Sequence, residues 1–380
     1  MVLLGATGFT GALVAERLAA CTEPVRWAIA GRDRARLAAL AQRLRALGGA
    51  GEVPVLAADV ADQRSLERLA SSTRVLATTV GPYLLFGEPV VAACAAAGTD
   101  YVDITGEPEF VDRMWLRHHE QARRTGARLV HSCGFDSIPS DLGALHAVGQ
   151  LPEGVPISLE ARVRGRLAIS GGTLRSALEA VGRPLSARRA ARLRRSLEGS
   201  PAGRTVRGVR LRPRPDPEGG GWLVPMPTID PVTVLRSARA LDRYGPHFSY
   251  SHDLVVASLP GVVALGAAAG ALAIASALPP ARAALERRRP PGEGPDESRR
   301  AQGWFSIRFC GRADGACVRT EVAGGDPGYG ETSKMLAQAA LCLALDELPE
   351  TSGQVTPAVA MGHALIERLR RVGIEFRTLA

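Results

Sequence analysis

Apolar residues fall into short runs separated by helical stripes through the first third of the chain. VLL at 2–4 runs into a glycine-rich turn, and Leu13, Val14 and Leu18 behind it recur at helical spacing through residue 20. VRWAIAG (25–31) reads as a buried strand, and the DRARLAALAQRLRAL that follows places Leu37, Leu40 and Leu44 on one helical face. EVPVLAAD (52–59), RVLATTVG (74–81), DYVDIT (100–105) and ARLVHSCG (127–134) supply four more strands. Between them lie the helical stretches DQRSLERLA, EPVVAACAAAG and EPEFVDRMWLRHHEQARRTG. Strands separated by single helices require a parallel sheet with right-handed crossovers. The pattern predicts an α/β fold whose residues 1–135 form a Rossmann-type domain.

Past residue 135 the pattern changes. Residues 157–175 and 203–223 carry short β-like runs broken by Gly and Pro, including SGGT (170–173) and PEGGGW (217–222). ARRAARLRR (187–195) reads as a basic helix with a solvated face, and ERRRPPGEGPDESRRAQ (286–302) has the composition of a mobile linker. WFSIRFCGR (304–312) and ACVRTEVAG (316–324) predict a hairpin, followed by helices over 330–348 and 358–373. Residues 136–345 thus read as an α+β substrate or dimerisation domain, and 346–380 as a helical C-terminal segment. Only three residues precede the glycine turn as strand, against a usual five or six, so the natural start is expected upstream of Met1.

From Leu254 to Leu278 there is no charged residue, a run longer than the ~20 residues a spanning helix needs. Pro260, Gly261, Gly266 and Gly270 interrupt it. A single span would also part the N-terminal domain from the closing helices, with arginines 282 and 287–289 holding the C-terminal side inside. A buried, dimer-forming or membrane-dipping helical hairpin is expected instead. Peripheral contact with the plasma membrane through 254–278 and a homodimer both stay open.

Length and charge narrow the function classes. A chain of 380 residues, 46% hydrophobic, is long enough for two cores and excludes global disorder. Net charge is +9, carried by 46 arginines and a single lysine, Lys334, with no aromatic-interleaved basic patch, so no nucleic-acid partner is expected. None of the tyrosines (83, 101, 244, 250, 329) has a lysine four residues on, which removes the Tyr-x-x-x-Lys pair of short-chain dehydrogenases. Six cysteines without a CxxC, and adjacent His118 and His119, give no zinc spacing and fit reduced thiols in the cytoplasm. No leader is seen ahead of the first strand, which points the same way.

The turn GATGFTG (Gly5, Ala6, Thr7, Gly8, Phe9, Thr10, Gly11) is the expected grip for a dinucleotide diphosphate. One glycine permits a tight exit from the strand, one lets backbone N–H groups reach the pyrophosphate, and one lets helix and strand pack closely. The helix N-terminus adds partial positive charge. About 20 residues beyond Gly11 comes AGRD. Arg32 comes first and faces the ribose, where a guanidinium welcomes a 2′-phosphate; Asp33 then caps the next helix. The reverse assignment makes Asp33 the ribose ligand; the geometry favours NADP. Asp59 ends the third strand, beside an adenine edge or as a helix cap. Val80, Gly81 and Pro82 end the fourth strand, where the nicotinamide ribose would lie, and Tyr83 is either a proton donor or a pocket wall.

GATGFTG, AGRD, VGPYLLFGEPVVAACAAAGTDYVDITGE (80–107), SCGFDSIPSDLGA (132–144), GDPGYGETSKMLAQAALCLA (325–344) and TPAVAMGHAL (356–365) resemble the saccharopine dehydrogenase-like oxidoreductases. Similarity is greatest to the actinobacterial branch with trans-acting enoyl reductases of complex-lipid and glycolipid assembly. The resemblance implies an NADP-binding Rossmann domain and a C-terminal α+β domain whose last helices return to the first. It also implies reduction of an acyl or polyketide chain carried by a synthase. Such a site must orient a nicotinamide, supply donors to a thioester oxygen and offer an acid. Candidates are Tyr83, Asp136 and Ser137 in GFDS, and Lys334; Asp136 and especially Asp141 could instead be cap and turn residues. The alternatives are an imine-forming amino-acid reductase of the saccharopine type, which needs basic residues clustered for two carboxylates, and a non-catalytic NADP-binding scaffold at a lipid surface.

Overall fold

The computed structural model describes residues 1–47, 52–166, 183–199, 201–209, 212–278, 280 and 294–380. SGGT (170–173), the end of the 157–175 run and residues 286–293 of the expected linker lie outside them.

Seven parallel strands make the first sheet: β1 (Val2–Leu4), β2 (Ala28–Gly31), β3 (Val55–Ala57), β4 (Val75–Thr78), β5 (Asp100–Asp103), β6 (Arg128–Val130) and, from the C-terminal part, β14 (Gly353–Val355). Their order is β14-β6-β5-β4-β1-β2-β3, so chain direction across the sheet reverses at β1. Ligands of such sheets bind beyond the carboxyl ends of the strands at that reversal. Alternation sends Leu3 to one face and Val2 and Leu4 to the other. Leu3 joins the core shared with α1 (Phe9–Ala19) and α2 (Arg34–Ala46), whereas Leu4 meets α3 (Gln63–Ser71), α5 (Glu88–Ala97) and α6 (Pro108–Thr125). A single turn, α4 (Tyr83–Phe86), leads into α5.

The second sheet is mixed. Its order is β15 (Glu375–Leu379), β13 (Ala316–Gly324), β12 (Trp304–Ala313), β7 (Ile157–Arg166), β11 (His247–Val256), β10 (Trp222–Pro225) and β9 (Arg214–Pro215), with β8 (Thr205–Gly208) beside the first half of β11. The helices α7 (Ile138–Val148), α9 (Asp230–Ala240) and α12 (Gly330–Leu345) lie among the two sheets, and one continuous apolar core joins Leu3 and Ile29 to Phe305, Ile307 and Phe309. The C-terminal chain serves both units: β14 extends the first sheet beside β6, and β15 closes the second beside β13.

Five expectations differ from what is found. The segment 346–380, expected to be helical and to pack back on the Rossmann-type domain, also carries two strands, and β15 joins the second sheet. The helix expected over 358–373 is two, α13 (Pro357–Ala360) and α14 (Gly362–Arg371), because Gly362 turns with φ +46°. The basic helix α8 (Pro184–Glu198) is not wholly solvated. Arg194, 2% exposed, is held by Asp112 of α6 and by Glu198, which also binds Arg236 Nε at 3.1 Å. From Gly294 on, the expected linker is ordered: Asp296 caps α11 (Glu297–Ala301) by accepting from Arg299 N. Lastly, the uncharged run is neither buried nor a hairpin. It forms one helix, α10 (Leu259–Ala277), started by Ser258, whose Oγ accepts from Gly261 N, and no residue with a described side chain in it is buried. Glycine weakens a helix by only about 1 kcal/mol, which the alanine-rich sequence around Gly266 and Gly270 absorbs.

Removing one member of a buried ion cluster strands the other charge. Arg194→Ala is expected to lower stability in urea melts by about 3–5 kcal/mol, and Arg194→Met with Asp112→Leu to recover most of it.

Candidate functional site

The glycine turn lies where the sheet order reverses. Gly5 has φ +85°, and a Cβ there would come within 2.7 Å of Val80 Cγ2 and 3.0 Å of Thr79 Oγ1. A Cβ on Gly11 would sit 2.2 Å from Gly5 O, so the helix could not approach the strand. Gly8 N donates to Gly5 O at 3.1 Å, and Gly8 is the N-cap of α1 with no side-chain cap. The amides of Phe9, Thr10 and Gly11, in the first turn, have no acceptor within the helix and offer themselves to an anion. Thr79 Oγ1 donates to Gly5 O at 3.1 Å, which ties the end of β4 to the turn; the Gly81–Pro82 peptide that follows is cis. This bare, uncapped cradle fits a dinucleotide diphosphate.

At the adenosine end, Asp33 caps α2 by accepting from Arg36 N at 3.0 Å, and Arg32 beside it is exposed. Arg36, which sequence reasoning passed over, reaches back to the turn: its Nη2 donates to Thr7 O at 3.1 Å, at the wall of a 240 Å³ hollow. Asp59 accepts from Ala61 N at 3.0 Å in a local turn, while the cap of α3 is Asp62. Phe9 of the motif does not face the cradle alone. Its ring packs edge-on against Tyr329 at 4.9 Å and under the Arg300 guanidinium at 5.7 Å. Arg300 Nε is buried without a hydrogen-bond partner, a second cation near the turn that its linker-like setting concealed.

The loops after β4, β5 and β6 are built on two buried carboxylates. Glu107, fully buried, accepts from Tyr83 N at 3.0 Å and Leu84 N at 2.8 Å, and so anchors the start of α4. Asp103, also fully buried, accepts from Thr105 N, Ser132 N and the Tyr101 hydroxyl, and lies 2.7 Å from His131 Nδ1. It thereby joins the loop after β5 to the loop after β6, where Ser132 holds φ +61°. Both carboxylates lie in DYVDITGE, and their spacing alone carries no signal for these roles.

Asp136 sits in that second loop, its Oδ2 2.9 Å from where a Cβ on Gly106 would lie. The residue is densely surrounded yet reaches solvent, and its carboxylate has no hydrogen-bond partner among the described residues. Burial among neighbours, then the Asp230 carboxylate, push it up to about 7. The other candidates are placed differently. The Tyr83 hydroxyl is buried, donates to Thr78 O at 3.1 Å and accepts from Ile104 N at 3.3 Å, a strut between β4 and the loop after β5; burial raises it well above the usual phenol range. Ser137 is fully buried with its Oγ 3.0 Å from Thr233 Oγ1, so it faces α9 rather than the cleft. Lys334 is partly exposed at the start of α12, and its Nζ donates to Glu331 Oε1 at 2.9 Å. Asp141 binds Ser237 Oγ and Ala358 N inside the protein, where burial pushes it up to about 7. Its role is tertiary: it pins α7 to α9 and α13.

The roomier hollow, about 740 Å³ among Ile157, Phe248, Arg312 and Cys317, opens at the opposite end of the second sheet's strands and takes no part in this arrangement. Among the described residues no group of three or more His, Cys, Asp or Glu could hold a metal ion.

Known proteins resemble this chain along its whole length. Residues 1–130 match the saccharopine dehydrogenase NADP binding domain. A Mycobacterium tuberculosis protein provisionally named as a trans-acting enoyl reductase is 39% identical, covering 100% of this chain and 97% of its own. A trans-acting enoyl reductase of Mycobacterium ulcerans is 36% identical over 98% and 96%. Among solved structures, apo saccharopine dehydrogenase (L-Glu forming) from Saccharomyces cerevisiae superposes with a TM-score of 0.58 at 14% identity, over 100% of this chain and 99% of that one, a likeness of fold.

Arg32 is exposed just beyond β2, where the sequence places the ribose, so Arg32→Glu should weaken NADPH about thirtyfold more than NADH, the worth of a charge-assisted hydrogen bond. Fluorescence titration with each cofactor reads the difference; equal weakening would remove Arg32 from the 2′-phosphate site.

Proposed function

The chain belongs to the saccharopine dehydrogenase family of NADP-binding oxidoreductases, and we propose that it reduces a carbon–carbon double bond in an acyl or polyketide chain. The full-length likeness to proteins named trans-acting enoyl reductases carries this reading. The substrate is proposed as a carrier-bound thioester presented by a polyketide synthase without its own reductase, in the assembly of a complex lipid. The cytoplasm, which supplies NADPH, is the proposed location.

NADPH, when bound, supplies the hydride that reaches the β carbon of an enoyl thioester, and the α carbon must then take a proton. The turn at Gly5–Gly11 would hold the diphosphate through backbone amides, with Arg32 and Arg36 at the adenosine end. Thr79, Val80, Gly81 and Pro82 would line the nicotinamide side, kept in place by Thr79 Oγ1 on Gly5 O and by Glu107 beneath Tyr83. Asp136 supports the acid role. It has solvent access, has no hydrogen-bond partner among the described residues, and holds its proton below about pH 7. Lys334, partly exposed on α12, keeps its ammonium beside Glu331.

Stopped-flow loss of NADPH absorbance tests the reaction. An enoyl thioester should oxidise NADPH, whereas an α-keto acid with an amino acid should not; the reverse would move the chain to imine reduction. Tight NADPH binding with no oxidation by either would mark a scaffold.

The raised pKa of Asp136 also sets a pH profile. The protonated, donating form persists up to about pH 7 and is lost above it, so kcat should fall on the alkaline side. Asp136→Asn should lower kcat about a hundredfold and abolish that limb while leaving NADPH affinity unchanged. A variant that keeps both rate and profile would remove Asp136 from the chemistry.

A further inference from the structure

We propose that α10 (Leu259–Ala277) is a membrane anchor that inserts into a lipid bilayer and seats one edge of the second sheet on the lipid surface. A helix that is apolar all round belongs either in a protein core or in hydrocarbon. This one is in no core: Val263 is 65% and Ile274 64% exposed, and none of its described side chains is buried. Nor has it a polar face to lie half-wet at an interface. Nineteen residues at 1.5 Å each make an apolar rod about 28 Å long, enough to lie obliquely in one leaflet without crossing the ~30 Å hydrocarbon layer.

The root of the helix carries the side chains of a membrane interface. In the second sheet Trp304 pairs with Arg166, and Trp222 with Val256. Leu254 pairs with Val163, which places Arg166 level with Ala257. Trp304 and Arg166 therefore sit side by side at the strand ends beside the root of α10, one residue beyond the level of Trp222 and on the opposite face, and both are exposed. Tryptophan and arginine are the residues that sit at headgroup depth.

Topology supports a dip rather than a division of the protein. The chain leaves β11 at Val256 and has returned by Gly294, beside the Phe9 ring, before entering β12 of the same sheet. Both ends of the insertion thus lie on one body. That edge also adjoins the cofactor site: a Cβ on Gly303 would touch Asp326, whose loop carries the Tyr329 that packs on Phe9. A second copy of the chain fits less well. Gly266 and Gly270 would form its contact stripe, but at 100° per residue Leu265 and Leu272 lie on the far side and would stay in water.

The test is flotation of the full chain with vesicles of phosphatidylcholine containing about a quarter phosphatidylglycerol. The wild type should float, and Leu265→Gln/Leu272→Gln/Ile274→Gln should lose about a hundredfold in partitioning while binding NADPH unchanged. Wild-type protein that stays at the bottom would overturn the proposal, as would a variant that still floats. A dimer without lipid, broken to monomers by the same variant and never floating, would assign α10 to a second copy. Reduction of a water-soluble enoyl thioester needs no vesicle, so failure of the anchor and failure of the enoyl reading are read separately.

Discussion

The site depends on the buried carboxylate of Asp103. A charge removed from water is tolerable only when hydrogen bonds replace its hydration. Asp103 collects them from Thr105 N at 3.0 Å, Ser132 N at 2.8 Å and the Tyr101 hydroxyl at 2.9 Å, with His131 Nδ1 at 2.7 Å. Two of these donors are main-chain groups just beyond β5 and β6, so one carboxylate sets where both loops leave the sheet. Ser132 Oγ adds a second stitch by donating to Thr105 O at 2.7 Å. Gly106 and Asp136 meet because of these bonds, and Asp136 keeps its water-facing position without a partner of its own.

Glu107 extends the same logic to β4. Its carboxylate substitutes for a side-chain cap that Pro82 cannot offer, and it fixes the turn that faces Gly5. The second domain then closes over the first through aromatic and loop contacts. Phe9 meets Tyr329, Phe135 N donates to Thr332 Oγ1 at 3.1 Å, and Asp326 gathers the amides of Gly328, Tyr329 and Gly330. The cofactor turn is therefore part of the interdomain packing, which explains why a bulky apolar residue occupies a position in the glycine motif.

Carboxylates that look alike in sequence end in different environments. Asp33 and Asp62 cap helices locally, as Asp residues before a helix tend to. Asp141 and Asp230 are buried; their oxygens accept from Ser237 Oγ, Ala358 N and Ser140 Oγ of distant segments and from the neighbouring Thr228 Oγ1. Asp136 alone among these five combines dense surroundings with solvent access and no partner.

Periodicity, strand–helix alternation and glycine spacing suffice by themselves for the parallel sheet and the glycine turn at its point of reversal. Those features are local: a turn of positive φ needs glycine, and a strand buried on both faces needs an unbroken apolar run. The uncharged stretch at 254–278 was equally plain as composition, but its exposure was not, because burial depends on what other segments leave uncovered. Arg36 and Arg300 at the turn, Arg194 inside an arginine-rich helix, and the Asp103 and Glu107 supports were decided only by tertiary structure. Each draws its meaning from partners or neighbours elsewhere in the chain, and no spacing along a sequence records such a meeting.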